Sequence, residues 1–238
     1  MNTLEIDHIL NAMLFPDGVQ SKHLGSPTAE YLGVFASDQI PLEKIKLRNA
    51  NFFVLNTDPS SQSGTHWVAC FKHACNSISF LQNNILSKPE NILEFFDSFG
   101  KSPTYYKFSF PQNFEIVKGH SQLQSNYSSV CGQYCIYFLF QRVCNARTFS
   151  TIISDLLSNF RKRDYRDSYI TGYVSRMSRK SLLKRNLAQN QYQLLNDVMC
   201  SDQASNLTSN IALSNQIQNC TSLKILSANS FETDSDDE

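Results

Sequence analysis

The chain has 238 residues, of which 41% are hydrophobic, and 21 basic side chains balance 21 acidic ones; this suits one globular domain with a sizeable core and gives no global positive field that would point to nucleic acid. Seven cysteines is an odd number, and Glu5, Asp7 and His8 interrupt the apolar pattern of residues 1–14 where a secretory segment would be continuous, so reduced thiols in an intracellular compartment, nuclear or cytoplasmic, are expected rather than a disulfide framework. No run approaches the roughly eighteen apolar residues of a membrane span, so no membrane association is expected.

Residues 3–14 place Leu4, Ile6, Ile9, Leu10, Met13 and Leu14 near helical spacing, which predicts a short amphipathic helix with Thr3 as its N-cap. Pro16-Asp17-Gly18 ends it as a turn. Residues 31–35 read as a short strand, and residues 41–45 as a helical turn with Pro41 at its first position. Residues 51–56 form a buried-strand pattern between polar turn residues. After the loop 57–64 a second strand of this kind covers 65–71, with His66 at its mouth. Residues 76–81 read as a third strand in a meander, and 82–91 as a polar excursion. Residues 92–97 are a fourth strand that leaves through the turn-like Asp97-Ser98-Phe99-Gly100, and the aromatic alternation of 105–117 predicts more extended structure.

A polar, turn-rich segment, Gln124 to Val130, then runs into Cys131-Gly132 and the dense apolar stretch 135–140. This predicts a loop feeding a buried helix, with Cys131 at the helix N-terminus, where unpaired N–H groups and the helix dipole favour a thiolate. Residues 149–160 repeat apolar side chains at helical spacing, with Ser150 or Thr151 as cap. A basic stretch, 161–185, interleaves Tyr165, Tyr169 and Tyr173, and the polar sequence from 186 ends in the acidic run 232–238. The expected organisation is a domain over 1–185 and an unstructured tail over 186–238.

The chemistry these residues suggest is that of a thiol hydrolase, which needs a nucleophile, a base, a group that orients the base, and oxyanion donors. Cys131 supplies the nucleophile and His66 the base, with Trp67 beside it as a lid. Asp97 closes a neighbouring strand, where a carboxylate can fix the imidazole tautomer; Glu94 is a rival for that role. Gln124, seven residues before the cysteine, and backbone N–H groups near Cys131 are the oxyanion donors. Read singly, each residue has a plainer role, as a buried thiol, a strand-edge histidine, a turn-capping aspartate or a surface glutamine. A zinc site at Cys131, Cys135 and Cys144 is the metal alternative, but no Cys-x2-Cys pair or His-x3-5-His partner accompanies it. Cys135, Cys70 and Cys75 read as packing residues, and His8, His23, His73 and His120 carry no role.

Three motifs in order, Gly64-Thr65-His66-Trp67, Phe95-Phe96-Asp97-Ser98-Phe99-Gly100 and Gln124 to Cys135 with its Gln-x6-Cys-Gly and Cys-x3-Cys spacings, resemble the adenovirus endopeptidase (adenain) family. More distantly they resemble the SUMO-deconjugating cysteine proteases of the same clan. The resemblance covers roughly residues 3–160. It implies an α+β papain-like cysteine-peptidase fold, a mixed central sheet packed on a buried helix that carries the nucleophile. It also implies a monomeric enzyme that cleaves protein substrates next to small residues, often glycine, in viral precursors or ubiquitin-like tails. No cofactor is required for the chemistry, but DNA or an activating peptide is an implied activator, and the basic stretch 161–185 is the candidate nucleic-acid contact. The chain departs from the adenain pattern in having Asp97 where that family has Glu, in a longer His66-to-Asp97 interval, and in having no Cys between Cys75 and Cys131 for a peptide disulfide. Alternatives are a deconjugase of SUMO or a related modifier, and an inactive binding module that keeps the fold.

Overall fold

The computed structural model describes residues 1–15, 29–46, 49–74 and 91–202. The chain forms two compact units, Met1–Ala188 and Gln189–Glu238. The first carries α1 (Thr3–Leu14), β1 (Glu30–Phe35), α2 (Leu42–Ile45), β2 (Asn51–Asn56), β3 (Trp67–Lys72), β4 (Asn91–Phe96), β5 (Phe114–Lys118), α3 (Cys131–Val143), α4 (Phe149–Asn159) and the start of α5 (Arg163–Asp202). What is described of the second unit is helix, the continuation of α5. Thus the polar stretch from residue 186, expected as an unstructured tail, is helical as far as Asp202; the acidic end lies outside the described residues. So do the turn at 16–18, the expected strand 76–81 and most of the excursion 82–91.

The five strands form one mixed sheet in the order β1-β2-β3-β4-β5. The inner pairs, β2 with β3 and β3 with β4, are antiparallel, and the outer strands β1 and β5 pair parallel with β2 and β4. The molecule is therefore an α+β protein with helices packed on a mixed sheet, the coarse architecture expected. β2 and β3 are buried at all six positions, as strands covered on both faces must be. One face presents Phe52, Val54, Trp67, Ala69, Phe71 and Phe96 to α1, α3 and α4. The opposite face presents Phe53, Leu55, Val68, Cys70, Leu93 and Phe95, covered by Ile45 and Phe108.

α3 lies across the first face and is buried at eleven positions, which explains its nearly continuous apolar sequence. Phe138 stacks on Phe96 with ring centroids 4.5 Å apart and planes 3° from parallel. Gly132 lets the N-terminal segment approach closely: a Cβ there would meet Ile6 Cδ1 and Met1 Sδ at 3.0 Å, and those side-chain ends would have to give.

Three local expectations are corrected. Asn2, not Thr3, caps α1: its Oδ1 accepts from Glu5 N–H at 2.9 Å while Glu5 Oε2 accepts from Asn2 N–H at 2.7 Å, a reciprocal box that fixes the start one residue earlier. Thr148, not Ser150 or Thr151, caps α4 by accepting from Thr151 N–H. Residues 105–117 are not continuously extended: Pro103–Tyr106 form a 3-10 turn closed by Lys107 in the left-handed region, and pairing begins only at Phe114. The aromatic alternation reflects packing instead, as Phe108 and Phe110 both lie edge-on to Phe95.

Candidate active site

Three chain segments meet at the N-terminal end of α3, and each is held by local chemistry. His66 precedes β3 at the end of the loop 57–65. Asp58 closes that loop: its Oδ2 accepts from Thr65 N–H at 2.6 Å and from Thr65 Oγ1 at 2.7 Å, while Asp58 N–H donates to Asn56 Oδ1 at 3.0 Å. Thr57 N–H donates to the His66 carbonyl at 2.9 Å, so the histidine is fixed from its backbone outward. Gly64 permits the path, with φ at +79° and no room for a Cβ beside Asn56.

Asp97 directly follows β4 and is buried. Its Oδ1 pairs with His66 Nε2 at 2.7 Å and accepts from Phe99 N–H at 3.0 Å. Its Oδ2 accepts from Lys101 N–H at 2.8 Å and from the Tyr106 hydroxyl at 3.0 Å. Four donors thus hold this carboxylate in one orientation. Phe99 and Tyr106 also flank the imidazole, with centroids 4.9 Å and 5.7 Å from it. Glu94, the rival acid, is committed elsewhere, to His73 Nε2 at 2.8 Å and to Arg142 Nε at 2.7 Å.

Cys131 is the first residue of α3 and is buried. Burial pushes its thiol up, but hydrogen bonding and charge from His66, together with the backbone N–H groups of Trp67 and Gly132, bring it below the usual thiol range. For His66, burial pulls the imidazole down, and the Asp97 and Cys131 charges overcome it, raising the pKa to about 9. Nδ1 of His66 has no hydrogen-bond partner among the described residues; with Nε2 on Asp97, it is the nitrogen left to serve the sulfur. The pair is biased toward thiolate and imidazolium. Cys135, one helical turn on, has no such neighbour; burial holds its thiol well above the usual range.

Gln124 sits beside this group on a loop pinned to the exit of β4. Leu123 N–H and Gln124 N–H both donate to the Ser98 carbonyl, at 2.8 and 3.0 Å. Ser98 Oγ donates to Gln124 Oε1 at 2.7 Å, and Gln124 Nε2 donates to the Ser128 carbonyl at 2.7 Å. The second hydrogen on Nε2 has no acceptor among the described residues. The four residues singled out from the sequence are therefore all buried, with His66 bonded to Asp97, Cys131 and His66 each shifting the other's pKa, and Gln124 on the loop bonded to Ser98, next to Asp97. Trp67, expected as a lid beside the pair, is a buried residue of β3 in the same apolar cluster as Cys131, and its backbone N–H bears on the thiol.

Sequence reasoning missed Ser98 and Tyr106, which carry no spacing signal of their own, although Ser98 follows Asp97 within a quoted motif. It also treated the basic stretch as one surface. Arg166 within it is buried and donates to the carbonyls of Leu123 at 3.0 Å and Phe160 at 2.6 Å. Tyr169 and Tyr173 pack edge-on to Tyr137 of α3, while Tyr165 is exposed. Among the described residues no group of three His, Cys, Asp or Glu is gathered that could hold a metal ion, and no helix is long and apolar enough to cross a membrane. Comparison with known protein families finds no family model that matches this chain, and comparison with curated proteins finds no match.

Proposed function

We propose that this protein is a cysteine endopeptidase in which Cys131 is the nucleophile, His66 the general base and Asp97 its orienting acid. The observation that carries the reading is the buried Asp97–His66 pair at 2.7 Å, with Cys131 at the start of α3 as the thiol on which that imidazole bears. In a structural cysteine, apolar surroundings with no such imidazole raise the thiol pKa instead. In the reaction, the thiolate attacks a peptide carbonyl, and the negative charge that develops on its oxygen is taken by the Cys131 region's backbone N–H groups and the uncommitted Gln124 hydrogen. The imidazolium gives its proton to the leaving amine. Water, deprotonated by the same imidazole, then hydrolyses the thioester and regenerates the thiol.

The substrates that fit the motif resemblance are protein precursors cut beside small residues, of viral or virus-derived origin. A pool of internally quenched peptides with Gly-Gly or Gly-Ala at the centre tests the reading. The parent is expected to cleave members of the pool, and Cys131→Ser to lose essentially all turnover, since an alcohol is poorly activated by this base. Cys135→Ser should cleave nearly as well as the parent. Equal cleavage by the parent and Cys131→Ser would remove the assigned nucleophile. Labelling of Cys131 by a SUMO vinyl-sulfone probe, without peptide cleavage, would move the substrate class to ubiquitin-like conjugates.

A further inference from the structure

Helix α5 reaches into the catalytic loop through a carboxylate that the chemistry above does not use. Asp167 is buried. Its Oδ2 accepts from Ser128 Oγ at 2.6 Å and from Ser125 N–H at 3.1 Å, and its Oδ1 accepts from the Tyr134 hydroxyl at 2.9 Å. The Tyr134 hydroxyl also lies 3.3 Å from the Leu123 carbonyl, which Arg166 grips from the other side at 3.0 Å. Residues 123–128 are thus spanned by neighbouring α5 side chains of opposite charge, one taking the loop's donors and the other its carbonyl.

The path from this carboxylate to Gln124 is short. Asp167 holds Ser128 by its hydroxyl, and Ser128 offers its carbonyl to Gln124 Nε2 at 2.7 Å. Ser98 holds the other end of the same amide. With both ends of the amide fixed, the direction of the second N–H follows from where Ser128 is placed. We infer that Asp167 is a positioning residue for the oxyanion donor: through Ser128 it sets the angle at which Gln124 presents its free hydrogen. This rests on the peptidase reading. A plain buried ion pair with Arg166 would not account for it, because among the described residues Asp167 accepts only from Tyr134 and from the loop, and each of those partners adjoins Gln124 or Cys131 in sequence or space.

The consequence is a coupling that a merely structural residue would not show. Asp167→Asn keeps the volume and exchanges one acceptor oxygen for a donor. It is expected to lower kcat by about tenfold, the worth of one misdirected hydrogen bond, with KM within about twofold. Gln124→Ala is expected to lower kcat by roughly a hundredfold. In the Gln124→Ala background, Asp167→Asn should cost less than a further twofold, since there is no amide left to aim. Ser128→Ala, which removes the hydroxyl that Asp167 holds and keeps the carbonyl that Gln124 uses, should show the same pattern with a smaller first step and keeps the test open if Asp167→Asn fails to fold. Thermal melting checks that each variant used is native. Penalties that multiply in the double variants, or an effect confined to KM, overturn the inference while leaving the peptidase intact. Absence of any Cys131-dependent cleavage by the parent, on the best-cut peptide of the pool, removes both.

Discussion

Burial alone would leave Cys131 and His66 both neutral, because a low-dielectric setting disfavours either charged form. What reverses this is that each is the other's counter-ion and Asp97 stands behind the imidazole. The two titrate as a pair, so the acid limb of activity should report loss of the thiolate and the alkaline limb loss of the imidazolium, near pH 9. Iodoacetamide alkylation of Cys131, followed against pH, checks this: the reactivity profile of His66→Ala should move to higher pH than the parent's, because burial is then opposed only by the Trp67 and Gly132 N–H groups. A flat comparison between the two would mean that the imidazole does not set the thiol. The same shift bears on stability. The His66 pKa is raised from 6.5 to about 9, so the stabilisation it contributes is complete below about pH 6.5 and lost as pH rises through 9. Asp97→Asn removes the charge that raises it, and the melting temperature of that variant should depend less on pH between 6.5 and 9 than the parent's. Tyr106→Phe removes one of four donors on Asp97; it is expected to cost about 1 kcal/mol of stability and to lower kcat a few-fold, measured by urea unfolding and peptide cleavage. Cys131, His66, Asp97 and Gln124 could be picked out as candidates because each sits in a short motif with ordered spacing. Ser98, Tyr106 and Asp167 were not, because a lone serine, tyrosine or aspartate has the same local sequence appearance whether it holds a catalytic loop or faces water.

At the level of elements, the site is a junction of loops held at strand and helix ends. The loop 57–65 delivers His66, and its closing geometry depends on Gly64. A Cβ there would fall 1.7 Å from Asn56 Nδ2 at a φ of +79°, so the side chain of Asn56 and the backbone would both have to move. Gly64→Ala is therefore expected to lower kcat at least tenfold by shifting His66, while the melting temperature falls by only a few degrees, because the loop is exposed along much of its length. An unchanged kcat would show that the loop adapts without disturbing the histidine. The strands and the buried helices were readable because period and apolar density are strong signals. Boundaries were not: Asn2, Thr3, Thr148, Ser150 and Thr151 are all acceptable caps, and which one acts depends on where the neighbouring backbone turns. α5 was the least legible element. Its sequence is polar and charged on most sides, and the residues that tie it to the body, Arg166, Asp167, Ile170 and Val174, are too few to stand out from a solvated pattern.

Across the whole first unit, α3 is anchored at both ends by charge. Its N-terminus carries the Cys131–His66 pair, and its last turn carries Arg142, whose Nε and Nη2 donate to the two carboxylate oxygens of Glu94 at 2.7 and 2.9 Å. His73 shares that carboxylate at 2.8 Å, and Arg142 lies over the Phe71 ring at 4.6 Å. Glu94 is buried and the Arg142 side chain is only 9% exposed, so removing one partner strands a charge that water reaches poorly. Arg142→Met or Glu94→Gln is expected to cost about 3–5 kcal/mol, a fall in melting temperature on the order of 10 °C for a domain of this size. The double variant Glu94→Leu/Arg142→Met replaces the pair with apolar volume and should recover most of that loss, since the desolvation of both ions is removed together; His73 is only partly buried and can be hydrated instead. Arg142 lies eleven positions after Cys131 along the helix, roughly 17 Å, so kcat of the folded variants at low temperature should stay within about twofold of the parent. Calorimetry and peptide cleavage on the same samples separate the two effects. A double variant no more stable than the singles would show that this cluster fixes the seating of α3 on the sheet, rather than merely surviving there as a compensated burial of charge.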